Sequence, residues 1–196
     1  MSWPSPGRAV LRAAAGFLAG LALWAALSAP YERIVAGAAE MVLRTAERPA
    51  VTRLVARNGE IVVDRSDFPP AAPRPGLPAA DLHFNFVILT ALFALSTPLR
   101  AGRVALALLL LFAVHVAALG CQVESLYATR LGPWSEANYG VFARNAWAAS
   151  FHFYQIAGRF AAPFAIWWPL ALWERGESRP APRGPARRKK RKSELR

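Results

Sequence analysis

The sequence predicts an all-α membrane protein with four transmembrane helices, both termini in the cytoplasm, and a small extracytoplasmic unit made of an amphipathic helix and a β-hairpin. Three observations carry this prediction. Of the 196 residues, 55% are apolar and only 18% are charged. The apolar residues form four blocks, each about as long as a helix that crosses ~30 Å of hydrocarbon. Lys and Arg are concentrated on one side of these blocks, as in inserted membrane proteins.

The four apolar blocks are interpreted as the transmembrane helices. They extend over residues 9–29, 82–99, 104–120 and 151–173. The first block belongs to an N-terminal anchor over residues 1–29. It is expected to be retained, because signal-peptidase cleavage after Ala29 would place Leu27 where a small residue is required. Cleavage after Ser28 is the alternative.

The distribution of charge sets the predicted orientation. With both termini inside, the cytoplasmic segments hold 14 Lys and Arg residues against three acidic residues, whereas the outside connections, 30–81 and 122–150, hold nine of each. This asymmetry satisfies the positive-inside rule. The tail, residues 174–196, is therefore predicted to be cytoplasmic and to contact anionic lipid. Its run RRKKRK at 187–192 resembles a nucleic-acid patch, but its position directly after the fourth block favours lipid, so no nucleic acid is expected as a partner.

The connection over residues 30–81 begins with a predicted amphipathic helix at residues 31–45. Glu40 and Arg44 lie four residues apart on its polar side, a spacing that favours an ion pair. Its apolar residues recur at helical spacing and predict a helix that lies along the membrane surface. These residues are Tyr31, Ile34, Val35, Ala38, Met41 and Val42.

A β-hairpin is predicted next, at residues 51–65. Asn58-Gly59 favours a two-residue type I′ turn, whose residues need positive φ. The turn places Arg57 opposite Glu60, Val55 opposite Val62, Leu54 opposite Val63 and Arg53 opposite Asp64. The apolar face of the hairpin must rest on the amphipathic helix, the bilayer or a partner, because a lone hairpin is marginal in water. That face comprises Leu54, Ala56, Ile61 and Val63. A proline-rich extended spacer at residues 68–80 leads back to the membrane.

Residues 82–173 are predicted to form a block of three transmembrane helices. The connection 122–150 within this block is expected to lie at the membrane interface. Aromatic residues recur along it from Trp134, which indicates a second interfacial helix leading into the fourth block.

Polar side chains inside the apolar blocks are the candidate functional residues, since such groups are costly in lipid and usually face a bundle interior. They are concentrated in the outer half of the predicted membrane region. His152, Gln155 and Arg159 share one face of a continuous helix, with Glu124 and the helix-end carbonyls as partners for Arg159. The cluster comprises His83, Asn85, His115, Gln122, His152, Gln155 and Arg159.

Several interpretations of this cluster are open. The simplest is hydrogen bonding between helices. The alternative is catalysis by a thiolate of Cys121, with His152 as base and Arg159 stabilising an oxyanion. Metal or haem ligation by the three histidines is less favoured because no pair is four residues apart, and a transport path would need an oligomer. We therefore assign no catalytic residue, no metal and no cofactor at this stage.

The order of these features resembles that of small bacterial membrane proteins associated with exosortases, in particular the exosortase H-associated type. The shared layout consists of a basic-flanked first span, an extracytoplasmic hairpin, the pair LHFNFVILTALFALSTP and ALALLLLFAVHVAAL, and finally Gly-Pro-Trp-Ser followed by YQIAGRFAAPFAIWWPLALW. The resemblance implies a multi-pass protein of the bacterial inner membrane that works beside a larger membrane protein, an exosortase. The expected function is that of a non-catalytic accessory or assembly protein in envelope protein sorting. Exosortases use Cys, Arg and His at the outer face. The surroundings of Cys121 here differ from theirs, so no functional residue is carried over.

Overall fold

The computed structural model describes residues 6–68, 73–96 and 100–177. The chain is mostly helical with one small antiparallel sheet. The helices are α1 (Pro6–Ala46), α2 (Ala80–His83), α3 (Asn85–Leu95), α4 (Ala101–Thr129), α5 (Pro133–Asn138), α6 (Val141–Phe153), a π-helix (Tyr154–Gly158) and α7 (Arg159–Glu177). The strands are β1 (Thr52–Arg57), β2 (Glu60–Arg65) and β3 (Gly76–Pro78). Most of the predicted basic tail, including the run at 187–192, lies outside the described residues.

Two of the described helices, α1 and α4, are long and apolar enough to cross a membrane, not the four that were predicted. The second predicted span contains the shorter pair α2 and α3, which meet at Phe84. The fourth is divided by the π-helix, and α7 carries Pro163 and Pro169 within it. The apolar blocks therefore do form helices, but two of them are short or interrupted.

Helix α1 continues through Pro30, where the sequence predicted the end of the first span. Proline removes one backbone hydrogen bond from a helix, and neighbouring helices make this tolerable in membrane proteins. The predicted apolar face of residues 31–45 is only partly buried. Ile34, Met41 and Val42 are 61%, 67% and 57% exposed. The buried face is rotated about the helix axis from the predicted one, shares Val35 with it, and consists of Glu32, Val35, Ala36, Ala39 and Leu43.

The hairpin register is confirmed pair by pair, from Arg57 opposite Glu60 to Arg53 opposite Asp64. Asn58 and Gly59 both have positive φ, 52° and 78°, as the predicted turn requires. The apolar face packs on α1, since Leu54 and Val63 share one buried core with the helix. The sequence left open whether this face rests on the amphipathic helix, the bilayer or a partner. In the structure it rests on the helix, which is part of α1.

Part of the predicted proline-rich spacer is instead a third strand. β3 pairs antiparallel with β2, giving the order β1-β2-β3. Pro75 still contributes its carbonyl, which accepts a hydrogen bond from Val63 N at 2.9 Å. Pro78 lies at a position whose nitrogen points away from β2, where a missing N–H costs nothing to the ladder.

The connection predicted at residues 122–150 is largely helical. α4 extends to Thr129, well beyond the predicted end of its span, and α5 and α6 come after it. The C-terminal turns of α4 pack under the sheet, with Val123 and Tyr127 in the same core as α1 and the hairpin. We call this part of the molecule the sheet end.

Candidate functional site

Seven side chains from α1, α2, α3, α4 and the π-helix form a hydrogen-bonded group, which we call the histidine network. The sequence cluster contained His83, Asn85 and His115, and the structure brings these three together in the interior. The other four members were missed at the sequence level. The network comprises Trp24, Tyr31, Glu32, His83, Asn85, His115 and Tyr154.

His83 is held between an indole and a carboxylate. Trp24 Nε1 donates to His83 Nδ1 at 2.8 Å, and His83 Nε2 lies 3.2 Å from Glu32 Oε1. An indole N–H can only donate, so Nδ1 must be the acceptor and the ring proton is on Nε2. His83 therefore donates to Glu32 as a neutral imidazole, and protonation of Nδ1 would place two donors against each other.

His115 has the same tautomer for a related reason. Asn85 Nδ2 donates to the Tyr154 hydroxyl at 3.5 Å, so Asn85 Oδ1 is left as the acceptor for His115 Nε2, 2.6 Å away. His115 Nδ1 then accepts from the Tyr31 hydroxyl at 2.6 Å. Tyr154 donates its own hydroxyl proton to the Leu82 carbonyl at 2.9 Å. Each donor in this series of hydrogen bonds is therefore paired with an acceptor.

The network therefore matches the interhelical hydrogen-bonding interpretation. Both nitrogens of His83 and of His115 are already engaged by protein groups. Within the described ranges, no group of three His, Cys, Asp or Glu residues is placed to hold a metal ion. Buried polar networks of this kind are stabilising only when every member is satisfied.

Glu32 is the most informative of the residues that sequence reasoning missed. It was not among the residues of the predicted cluster, yet it is buried on the same side as Val35 and Ala36. Its spacing of three and four residues from these two apolar positions was the available signal. A buried carboxylate of this kind is expected to have a hydrogen-bonded partner, which here is His83.

Gln122 and Gln155 lie apart from the histidine network. They line a cavity of about 350 Å³, between β3, α4 and the π-helix. Gln122 is only 4% exposed, and its side-chain nitrogen has no hydrogen-bond partner among the described residues. Arg159 pairs with Asp81 of α2, with Arg159 Nη1 3.6 Å from the carboxylate.

The structure does not bring His152 to the groups that Gln155 and Arg159 contact. The prediction assumed an uninterrupted α-helix, but the π-helix inserts a residue into the turn between them and rotates the residues after it. His152 is exposed. The partner suggested for Arg159, Glu124, instead accepts a hydrogen bond from the Tyr139 hydroxyl at 2.8 Å.

The alternative catalytic set is also dispersed. Cys121 is half-buried and lines an open cavity together with Ser150 and Tyr154. His152 does not line this cavity, and Arg159 is engaged with Asp81. No hydrogen bond or ion pair joins the thiol to either residue in the part of the chain that the structure describes.

A cluster around Arg65 that the sequence did not indicate fastens the sheet end. The guanidinium carbon of Arg65 lies 4.8 Å from the centre of the Tyr127 ring and 5.0 Å from that of Trp134. Its nitrogens pair with Glu47 at 3.3 Å and Asp67 at 2.9 Å. The hydrogen bond from Arg65 lowers the pKa of Asp67. The stabilisation that Asp67 gains from this hydrogen bond is therefore present above the ordinary pKa of Asp. It is lost as the pH falls through the lowered pKa of Asp67.

Replacing Arg65 with Lys is expected to lower the free energy of unfolding by about 1–2 kcal/mol. An ammonium keeps the charge but cannot stack between two rings or pair in a planar, two-pronged fashion. Arg53→Lys is the control, because Arg53 is exposed on the same sheet and should change stability by less than about 0.5 kcal/mol. Thermal unfolding in mild detergent measures both, and equal shifts would contradict a special role for Arg65.

Comparison of the chain with family models, curated proteins and solved structures finds no match. The site is therefore interpreted from its geometry.

Proposed function

We propose that this chain is a non-catalytic accessory or assembly protein of an exosortase-type system that sorts envelope proteins. It resides in the bacterial inner membrane as a multi-pass protein, beside a larger membrane protein such as an exosortase. The observation that carries the proposal is the histidine network. Its polar groups hydrogen-bond to one another, and these bonds join α1 to α2, α3, α4 and the π-helix. A membrane scaffold needs such internal cross-links, whereas an enzyme needs polar groups that are open to a substrate.

The proposed topology has both termini in the cytoplasm and the sheet outside. The charge count supports it, with 14 basic residues inside against nine outside. α1 and α4 are long and apolar enough to span the bilayer. α2–α3 and the segment from α6 to α7 complete the four passes as shorter or interrupted elements, packed against the two long helices. The basic tail contacts anionic lipid on the cytoplasmic face.

Complementation separates this function from the enzymatic alternative. The gene is deleted in its bacterial host, and processing of an exosortase substrate is followed by immunoblot. We expect the deletion to reduce processing. Wild type and Cys121→Ser should restore it equally, because an accessory does not use the thiol. The wild-type chain should also copurify with the exosortase in mild detergent.

Two outcomes contradict the proposal. If Cys121→Ser accumulates to the wild-type level and fails to restore processing, the chain is a cysteine enzyme in which Cys121, His152 and Arg159 act together. If the deletion leaves processing unchanged and no exosortase copurifies, the sorting role itself is wrong. Immunoblotting of the chain in each strain ensures that loss of function is not loss of protein.

A further inference from the structure

The 350 Å³ cavity at the sheet end is lined by Gln122, a residue with a buried side-chain donor. The side-chain nitrogen of Gln122 is inaccessible and has no partner in the described parts of the chain. Buried polar groups are almost always hydrogen-bonded, so an exception in a residue of the cavity wall indicates a missing acceptor. Ser125 lies one helical turn further along α4 and lines the same cavity, as does Gln155.

The opposite wall of this cavity is the open edge of the sheet. In an antiparallel pair, the residues that exchange hydrogen bonds alternate with residues whose backbone groups point outward. The bonds from Val63 N to Pro75 O and from Ala79 N to Gly59 O set this alternation for β3. The N–H and carbonyl of Gly76 and the carbonyl of Pro78 therefore point away from β2. All three belong to residues that line the cavity.

The rim of the cavity carries both signs of charge. Asp81 lies at the start of α2, and Arg130 comes directly after α4. Between them, Leu126 and Phe151 contribute apolar side chains to the lining. A ligand for this cavity thus needs alternating backbone-like donors and acceptors, some apolar surface, and tolerance of charge at either end.

We propose that this cavity binds an extended peptide segment that adds to the edge of β3. The peptide backbone pairs with the outward groups of Gly76 and Pro78, and one peptide carbonyl accepts from the Gln122 amide once this side chain has rotated into the cavity. An added strand repeats its donors and acceptors at the spacing that the edge presents, which a lipid headgroup does not. The proposal rests on the proposed function for the source of the peptide, an extracytoplasmic segment of a sorted protein.

The test uses the full-length protein in mild detergent, labelled with ¹⁵N-glycine. The probe is an equimolar pool of random-sequence hexapeptides with acetylated N-termini and amidated C-termini, since backbone pairing tolerates many sequences. We expect the Gly76 amide resonance to move in a saturable manner. The Gly102 resonance, at the opposite end of α4, should not move. Gln122→Leu should bind the pool about fivefold more weakly, as expected for the loss of one hydrogen bond.

Matched variants separate binding from folding. Gln122→Leu should unfold at the same or a higher temperature than wild type, because it removes an unsatisfied donor and keeps the side-chain volume similar. Cys121→Ala, one residue away but facing a different cavity, should bind the pool as wild type does. A folded Gln122→Leu that binds the pool as tightly as wild type would overturn the assignment of Gln122 to the site.

Two further results would overturn the proposal. One is an unmoved Gly76 resonance at millimolar peptide. The other is a shift produced by phosphatidylethanolamine bicelles and not by peptides, which would make the cavity a lipid headgroup site. Either result leaves the complementation experiment unaffected. A failure of peptide binding is therefore distinguishable from a failure of the sorting role.

Discussion

Replacement of His115 with Leu is expected to lower the free energy of unfolding by about 2–5 kcal/mol. The substitution leaves the Tyr31 hydroxyl and the Asn85 carbonyl oxygen without partners in the protein interior. A buried polar group that loses its hydrogen-bond partner costs about 1–3 kcal/mol. In this variant two such groups lose a partner. Hydrogen bonds between membrane helices average only about 0.6 kcal/mol in pairwise cycles, but those cycles do not count orphaned partners.

His152→Leu is the matched control for this experiment. The same chemical change is made at an exposed histidine, so stability should change by less than about 0.5 kcal/mol. Thermal unfolding in mild detergent and the yield of folded protein measure both variants. Similar behaviour of the two would mean that the histidine network does not hold the helices together.

The contact between α1 and α3 should be the second most sensitive point, and Gly16→Ala should cost about 1–3 kcal/mol. A Cβ at Gly16 would come within 2.5 Å of Ala94 Cβ and 2.9 Å of the Thr90 carbonyl oxygen. Neither atom can rotate away, so the two helices must separate. Gly20, four residues later on the same face, also faces Thr90. Small residues at this spacing let membrane helices approach closely.

Gly37→Ala gives the opposite sign and serves as the control. It lies on the same helix, and a Cβ there meets nothing within 4 Å. Replacing a helical glycine in open space should stabilise the protein by about 0.5–1 kcal/mol. If Gly16→Ala is also stabilising, α1 and α3 do not pack as described.

Local chemistry explains why the hairpin could be predicted so closely. A type I′ turn at Asn58-Gly59 leaves one register, and the opposite charges of Arg53 and Asp64 agree with it. The third strand could not be predicted in the same way. Gly76 and Pro78 have low strand preference, and they form a strand because β2 offers its other edge.

The candidate site was predicted only in part. Polar residues within apolar blocks pointed to His83, Asn85 and His115, because such residues are costly unless partnered. Their partners Trp24 and Glu32 gave no comparable signal, since one resembles an interfacial aromatic and the other a solvated charge. His152 was included through an assumed helical period that the π-helix interrupts.

The sequence by itself determined which segments are apolar helices, where the hairpin turns and how its strands pair. These properties depend on composition and on neighbours a few residues away. Only the tertiary structure decided that α1 runs through Pro30, that its buried face carries Glu32, and that Gln122 lines a cavity while its buried amide nitrogen has no partner among the described residues. The physical reason is that the burial of a residue depends on how separate helices and strands pack together. Which side of a helix is covered depends on what packs against it, and residues distant in the chain supply that surface.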